Sequence, residues 1–270
     1  MGASGSADAR DLTALEALTP VLGIILKRRR SSTLSEYTPP EVVQNQAIFN
    51  SMAAVSEFSV YRLFPEEKFL FARYYRPGQS VLDLACGLGR TTLLLHEMGM
   101  VVRGIDRAEL LIQTAKRRLP YLDLKVGSYE SIDEPDSTFS HVLISFNGID
   151  YAFPAAQRLT ALHECARVLK PGGTLIYSSH NLKSLHWYSP YYRRRLRWKV
   201  RNTLKAFKEW DYVLEDGVHT FYASSRFVVR QTEEVGLNLL EIRGFCRLEN
   251  EPIDRYFSPY IHYVFSKPTP

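Results

Sequence analysis

The run Val81-Leu82-Asp83-Leu84-Ala85-Cys86-Gly87-Leu88-Gly89-Arg90 sets one carboxylate inside an apolar stretch and follows it with two glycines one residue apart. Glycines at a strand-to-helix turn remove the Cβ that would block a ligand, and they accept positive φ. In an open α/β sheet such a turn lies beyond the carboxyl ends of the strands, where ligands bind. Gly87 and Gly89 therefore read as a ligand-facing turn, with the small Ala85 before them and Asp83 directed at the same crevice. A dinucleotide fingerprint counted from Gly87 needs a third glycine where Thr92 stands. A phosphate loop needs Gly-Lys-Ser/Thr, and Gly89-Arg90-Thr91 has no lysine. A nucleoside without phosphates fits better, and a positive charge on it would suit Asp83.

The stretch resembles motif I of the class I S-adenosylmethionine-dependent methyltransferases, commonly LDxGCGxG. Three other places support the likeness: Gly104-Ile105-Asp106, the run Arg167-Val168-Leu169-Lys170-Pro171-Gly172-Gly173, and Leu237 to Gly244 after Glu234-Val235-Gly236. The resemblance covers roughly residues 60 to 180 and two terminal strands. It implies an enzyme of the small-molecule type that uses S-adenosylmethionine and releases S-adenosylhomocysteine, with no metal. It also implies site roles: Asp83, Ala85, Gly87 and Gly89 in the cofactor turn, Asp106 with Arg107 at the ribose, Ser128 and Tyr129 beside adenine, and Phe146 and Asn147 along the methionine part. The sequence departs from the family pattern at Ala85 (usually glycine), at Ser128 (usually aspartate) and at Ser140-His141 (usually an aspartate before the fourth strand).

Methyl transfer from a sulfonium is an in-line displacement with a good leaving group, so it requires positioning more than a fixed catalytic triad. Two groups near strand ends could take a proton from the acceptor: Asp150 in Phe146-Asn147-Gly148-Ile149-Asp150-Tyr151, and His180 in Ser179-His180-Asn181. Each also has a plain structural reading, as a helix-entry residue and as a hydrogen-bonded histidine. The tetrapeptide Asn-Pro-Pro-Tyr is absent after the fourth strand, which weighs against DNA and glutamine acceptors.

Acceptor recognition is expected from the aromatic and basic segment at about 181–236. Tyr192, Leu196, Val200, Leu204 and Phe207 share one helical face over 192–208, and Arg and Lys crowd the others. Such a helix could be a lid, or could meet an anionic small molecule, RNA phosphates or an acidic membrane surface. His186, Trp187, Tyr188, Tyr191 and Tyr222 would suit a flat or sugar-like acceptor. The expected function is methylation of a small molecule at O or N. The alternatives are an RNA or protein methyltransferase using the basic helix, and a non-catalytic binding protein with a membrane- or partner-facing helix.

The elements that must hold these residues alternate from Gly78 onward. Strands are expected at 81–84, 101–105, 123–126, 141–146 and 174–178, and helices at 90–98, 108–119 and 155–169. Strand signals return at 237–243 and 261–266, the last antiparallel. The expected fold is a doubly wound α/β domain over 41–270 with a seven-stranded, mostly parallel sheet (a Rossmann-like methyltransferase fold). A helical or irregular N-terminal extension occupies 1–40. The chain has 270 residues and a net charge of +5, too mild a balance to imply nucleic acid by itself. Three scattered cysteines favour a reducing compartment, so a cytoplasmic protein is expected.

Overall fold

Residues 39–59, 62–184, 209–215, 217–244 and 258–270 are described by the computed structural model. Residues 1–38 of the expected extension 1–40, the basic helix 192–208 and the residues His186, Trp187, Tyr188 and Tyr191 lie outside them. The chain divides into two compact units, Met1–Thr38 and Pro39–Pro270. Everything below concerns the second.

Three helices come first: α1 (Pro40–Phe49), α2 (Met52–Phe58) and α3 (Pro65–Tyr74). Proline opens α1 and α3, where a missing N–H costs nothing. Ser51 caps α2 by accepting from the Ala54 N–H. The alternating part follows as β1 (Ser80–Leu84), α4 (Arg90–Glu97), β2 (Val101–Asp106), α5 (Glu109–Arg118), β3 (Asp123–Val126), β4 (Phe139–Ile144), α6 (Ala155–Val168) and β5 (Leu169–Asn181). The chain then forms β6 (Trp210–Glu215), β7 (Val218–Ala223), α7 (Ser225–Glu233), β8 (Asn238–Gly244) and β9 (Tyr260–Ser266).

Strands β3-β2-β1-β4-β5 run parallel in that order, with Asp83 beside Gly104 on one side and beside Leu143 on the other. β9 pairs antiparallel with β5, and β8 antiparallel with β9. These seven strands are the expected doubly wound sheet, and the last is antiparallel as expected. Leu82, Leu84, Val142, Ile144, Leu175 and Tyr177 form the centre of the larger core on one face of the sheet. Val81, Leu143, Ile176 and Val264 meet Leu70, Phe71 and Tyr75 of α3 and its end on the other.

Two further strands were not expected. β6 and β7 form an antiparallel hairpin, and β7 adds to the end of β5 through His180 and Asn181. His180 also pairs with Tyr260 of β9, so β7 stands on the opposite side of β5, in line with β4 and past its end. The sequence did carry a hairpin signal there, Asp216-Gly217 between two alternating runs.

His141 shows why an aspartate is dispensable before β4. Its ring bonds Thr174 Oγ1 at 2.7 Å and Gln79 Oε1 at 2.9 Å, and it lies 4.6 Å from the Tyr75 ring. Burial pushes His141 down to about 4, and does the same to His262 on β9. Both stay neutral when folded, while in the unfolded chain they protonate near 6.5, so the stability they preserve is lost as pH falls from about 6.5 toward 4. Asp83, pushed up to about 6 by burial, acts in the opposite sense over its own window from 3.8 to about 6. The two histidines outweigh it, at up to about 3 kcal/mol each. The thermal midpoint should therefore drop as pH falls through this window, and His141→Gln should flatten the drop. An unchanged slope in a pH series of melts would show that His141 is not buried neutral.

Candidate active site

A cavity of about 710 Å³ opens at the carboxyl ends of β1, β2, β3 and β4. Its floor is the β1–α4 turn. Ala85, Gly87 and Gly89 all hold positive φ, at 54°, 55° and 80°. For Gly87 the only atom of the described residues within 4 Å of an added Cβ is Leu111 Cδ1 at 3.9 Å, so its glycine serves the turn and the open side facing the cavity. Ala85 holds the left-handed backbone at some strain, and Gly148 makes room for its methyl: a Cβ on Gly148 would come within 2.6 Å of Ala85 Cβ.

Asp83 is not in the cavity wall. It is fully buried beneath the turn, where Oδ2 accepts from Thr91 and Thr92, each at 2.6 Å. The expectation that it faces the crevice is corrected on this point. Its carboxylate ties the first turn of α4 to β1, and its other oxygen has no hydrogen-bond partner among the described residues.

Asp106, at the end of β2, does line the cavity. The Gly87 N–H donates to Oδ2 at 2.8 Å and the Ala108 N–H to Oδ1 at 2.7 Å. Burial raises its pKa from the ordinary carboxylate value, and these two donors oppose the rise. Arg107 and Ser128 line the cavity beside it, with Tyr129. Arg107 donates to Ser128 Oγ at 2.7 Å and pairs with Glu130, and its guanidinium lies 5.9 Å from the Tyr129 ring centre. Ser128 in turn donates to Glu130 at 2.9 Å. The usual aspartate of this position is thus replaced by a serine already tied to an arginine–glutamate pair.

Beyond β4, Ser145, Phe146, Gly148 and Tyr151 line the cavity. Phe146 and Asn147 both take left-handed backbone, which directs Phe146 to the cavity while Asn147 is buried and absent from the lining. The Asn147 N–H donates to Ser178 Oγ at 2.8 Å.

Neither proposed proton acceptor is in the cavity lining. Asp150 has no exposure. Its Oδ1 accepts from Arg158 Nη1 at 2.6 Å and Ser179 Oγ at 2.8 Å, and its Oδ2 from the His180 N–H at 2.6 Å and the His180 ring Nδ1 at 2.8 Å. A carboxylate holding these four donors, out of the cavity, is committed to positioning its neighbours. His180 is buried between Tyr222 at 4.6 Å and Tyr260 at 5.2 Å. Tyr222 is accordingly packed on this histidine.

The sequence reading missed three groups. Arg158, fully buried on α6, pairs with Asp150, donates to Gln231 at 3.0 Å and lies 4.6 Å from the Phe221 ring. Its position was legible: 158, 161, 162 and 165 share the apolar stripe of the helix. Arg90 lines the cavity and makes two bonds to Glu67 of α3, at 2.6 and 2.8 Å, and one to Ser145 at 2.9 Å. The third group is the roof: Val42, Asn45, Gln46, Phe49 and Asn50 of α1 and its end, with Phe58 of α2.

The Asp150–Arg158 pair has no solvent to fall back on, so Arg158→Ala should destabilise the fold by about 3–5 kcal/mol, the cost of stranding a buried charge. Urea unfolding measures this directly. A loss below about 1 kcal/mol, as for surface pairs, would show that the pair is solvated.

Residues 81–173 match the family model described as a methyltransferase domain. A demethylmenaquinone methyltransferase from Symbiobacterium thermophilum is 30% identical over 146 residues, which cover 50% of this chain and 55% of that relative. The chain spans about half, or less, of the length of the first curated relatives it matches. Among solved structures, the Burkholderia thailandensis 1,6-didemethyltoxoflavin-N1-methyltransferase, with 1,6-didemethyltoxoflavin and S-adenosylhomocysteine bound, aligns with a TM-score of 0.60 at 15% identity, covering 88% of this chain and 93% of the other. A methyltransferase from Methanosarcina mazei aligns with a TM-score of 0.58 at 20% identity, covering 78% of this chain and all of the other. At these identities the structural likeness concerns the fold.

Proposed function

We propose that the chain is a class I S-adenosylmethionine-dependent methyltransferase, an enzyme transferring the methyl group of S-adenosylmethionine to an O or N atom of a small molecule. The observation that carries this reading is Asp106, a cavity-lining carboxylate at the tip of β2, fixed by the Gly87 and Ala108 N–H groups. Each of its oxygens spends one acceptor site on the backbone and keeps capacity for another donor, which two ribose hydroxyls supply. Gly87 leaves the backbone bare where a nucleoside must approach. Arg107, Ser128 and Tyr129 form the adenine end, and Ser145 and Phe146 flank the methionine end. Asp83 acts from below the turn, where its buried charge favours a cation above it without touching one.

When bound, S-adenosylmethionine would supply an electrophilic methyl to the acceptor's lone pair, with the carbon–sulfur bonding pair returning to sulfur and the acceptor's proton leaving to solvent at the open side of the cavity. The chain's contribution is to hold both molecules in line and keep bulk water out. A cavity of this volume under two helices suits a small acceptor. The buried free thiols Cys86 and Cys165 suit a reducing, cytoplasmic setting.

Calorimetry with S-adenosylhomocysteine tests the donor site. Asp106→Ala should weaken binding by about tenfold or more, through loss of charge-assisted hydrogen bonds. Equal affinity for the variant and the parent would remove Asp106 from the site. Methyl-labelled donor incubated with cell extract should label the small-molecule fraction, and label confined to RNA or protein would overturn the acceptor class.

A further inference from the structure

The far end of the cavity is built of rings in sequence. Tyr151 meets Phe49 edge-on at 4.8 Å, Phe49 lies over Phe58 at 6.2 Å, and Phe58 meets Phe146 edge-on at 6.3 Å. Phe146 stacks on Phe64 at 5.6 Å with their planes 8° apart. The first four of these rings line the cavity. They come from two neighbouring helices, α1 and α2, and from the distant segment after β4, so no single amphipathic stripe explains their meeting. They also stand apart from the main cores, because Phe49 and Phe58 pack in a satellite cluster with Ala54, Val55 and Leu111.

The charge around them is as telling. The charged side chains lining the cavity, among the described residues, are Arg90, Asp106, Arg107 and Glu109. Arg90 lies 5.5 Å from the Phe146 ring centre and is neutralised by the two-point pair with Glu67. Arg107 is neutralised by Glu130. Asp106 and Glu109 stand at the end of β2 and the start of α5, on the donor side. Among the described residues, the aromatic end thus offers flat apolar faces and no uncompensated charge. A charged acceptor placed there would lose its hydration without a partner, which is costly. A flat ring would gain offset or edge contacts with several aromatic groups at once.

We infer that the acceptor is an uncharged, planar ring compound that binds against the Tyr151–Phe49–Phe58–Phe146 wall and carries its nucleophilic O or N at the rim facing Gly148. The word acceptor rests on the methyl-transfer reading, whereas the wall's preference for flat neutral rings does not.

The test uses three probes of one skeleton: 2-naphthol (flat, neutral), 2-naphthoate (flat, anionic) and decahydro-2-naphthol (neutral, not flat). Their affinities are measured by ligand-observed NMR titration on the full chain, with and without saturating S-adenosylhomocysteine. The expected result is that 2-naphthol binds about fivefold or more tighter than either of the others. Phe49→Ala should weaken 2-naphthol about tenfold and leave S-adenosylhomocysteine affinity unchanged, while Phe49→Tyr, which keeps the ring, should restore 2-naphthol binding. Equal affinities for the three probes, no binding of any, or displacement of S-adenosylhomocysteine by 2-naphthol would each overturn the inference. If S-adenosylhomocysteine itself fails to bind, the donor reading falls, and the probe series without it still decides the wall.

Discussion

The carboxyl end of the sheet depends on one reversal of the chain, from β1 into α4, and on the buried carboxylate that clamps it. Asp83 takes the hydroxyls of Thr91 and Thr92 beneath the turn. That clamp fixes where α4 begins and therefore where the Gly87 N–H points. The N–H in turn holds Asp106, so β1, α4 and β2 meet in one hydrogen-bonded chain. The left-handed residues 85, 87 and 89 are the backbone cost of this arrangement, and at position 85 that cost falls on a side chain. Gly148 offsets it by leaving space for the alanine methyl. A residue after β4 is thereby coupled to the donor turn, and two rings of the wall, Phe146 and Tyr151, stand on either side of it in the chain.

A second buried charge system performs the same service on the other flank. Asp150 joins α6 through Arg158, β5 through Ser179 and His180, and through Arg158 reaches Gln231 of α7 and Phe221 of β7. Burying an ion pair is costly unless its remaining lone pairs and protons are met, and here the carboxylate's bonds are met by side chains and backbone together. The return is geometric. The segment carrying Gly148 and Tyr151 is held against β5, and the hairpin is held against the same point.

Much of this was legible in the sequence where physics is local and repetitive. β3 falls at 123–126 as expected, because a short apolar-alternating run between Pro120 and Gly127 has one way to pair. The donor turn was legible because glycine, aspartate and strand have narrow joint uses. The fate of Asp83 was not: an acid at a strand end can face the crevice or turn under it, and the two threonines that decide this look like ordinary helix residues. Asp150 and His180 showed the chemistry of a base, but Arg158, eight residues away on a helix, determines that the acid is spent on structure. The roof was not legible either. α1 buries Val42 and Asn45 and lines the cavity with these and with Gln46 and Phe49, so no continuous apolar stripe marks it.

The roof also explains why the family motif says so little about the acceptor. Asn45 bonds the His219 backbone twice, its amide donating to the carbonyl at 3.0 Å and its carbonyl accepting the N–H at 2.8 Å, and Gln44 donates to the Gly217 carbonyl at 2.7 Å. At the other end of the same helix, Asn50 accepts from the Leu110 N–H at 2.7 Å. α1 is thus strung between the hairpin and α5 by side-chain bonds to backbone, which constrain its position and use Asn45 and Asn50 but place no demand on Gln46 or Phe49. The donor end is made of strand tips and cannot change without disturbing the sheet. The ring end is made from α1, α2 and the segment after β4, whose side chains can change while the sheet stays as it is. On the proposed reading, acceptor choice is carried by residues such as Phe49, Phe58 and Tyr151, outside the glycine turn.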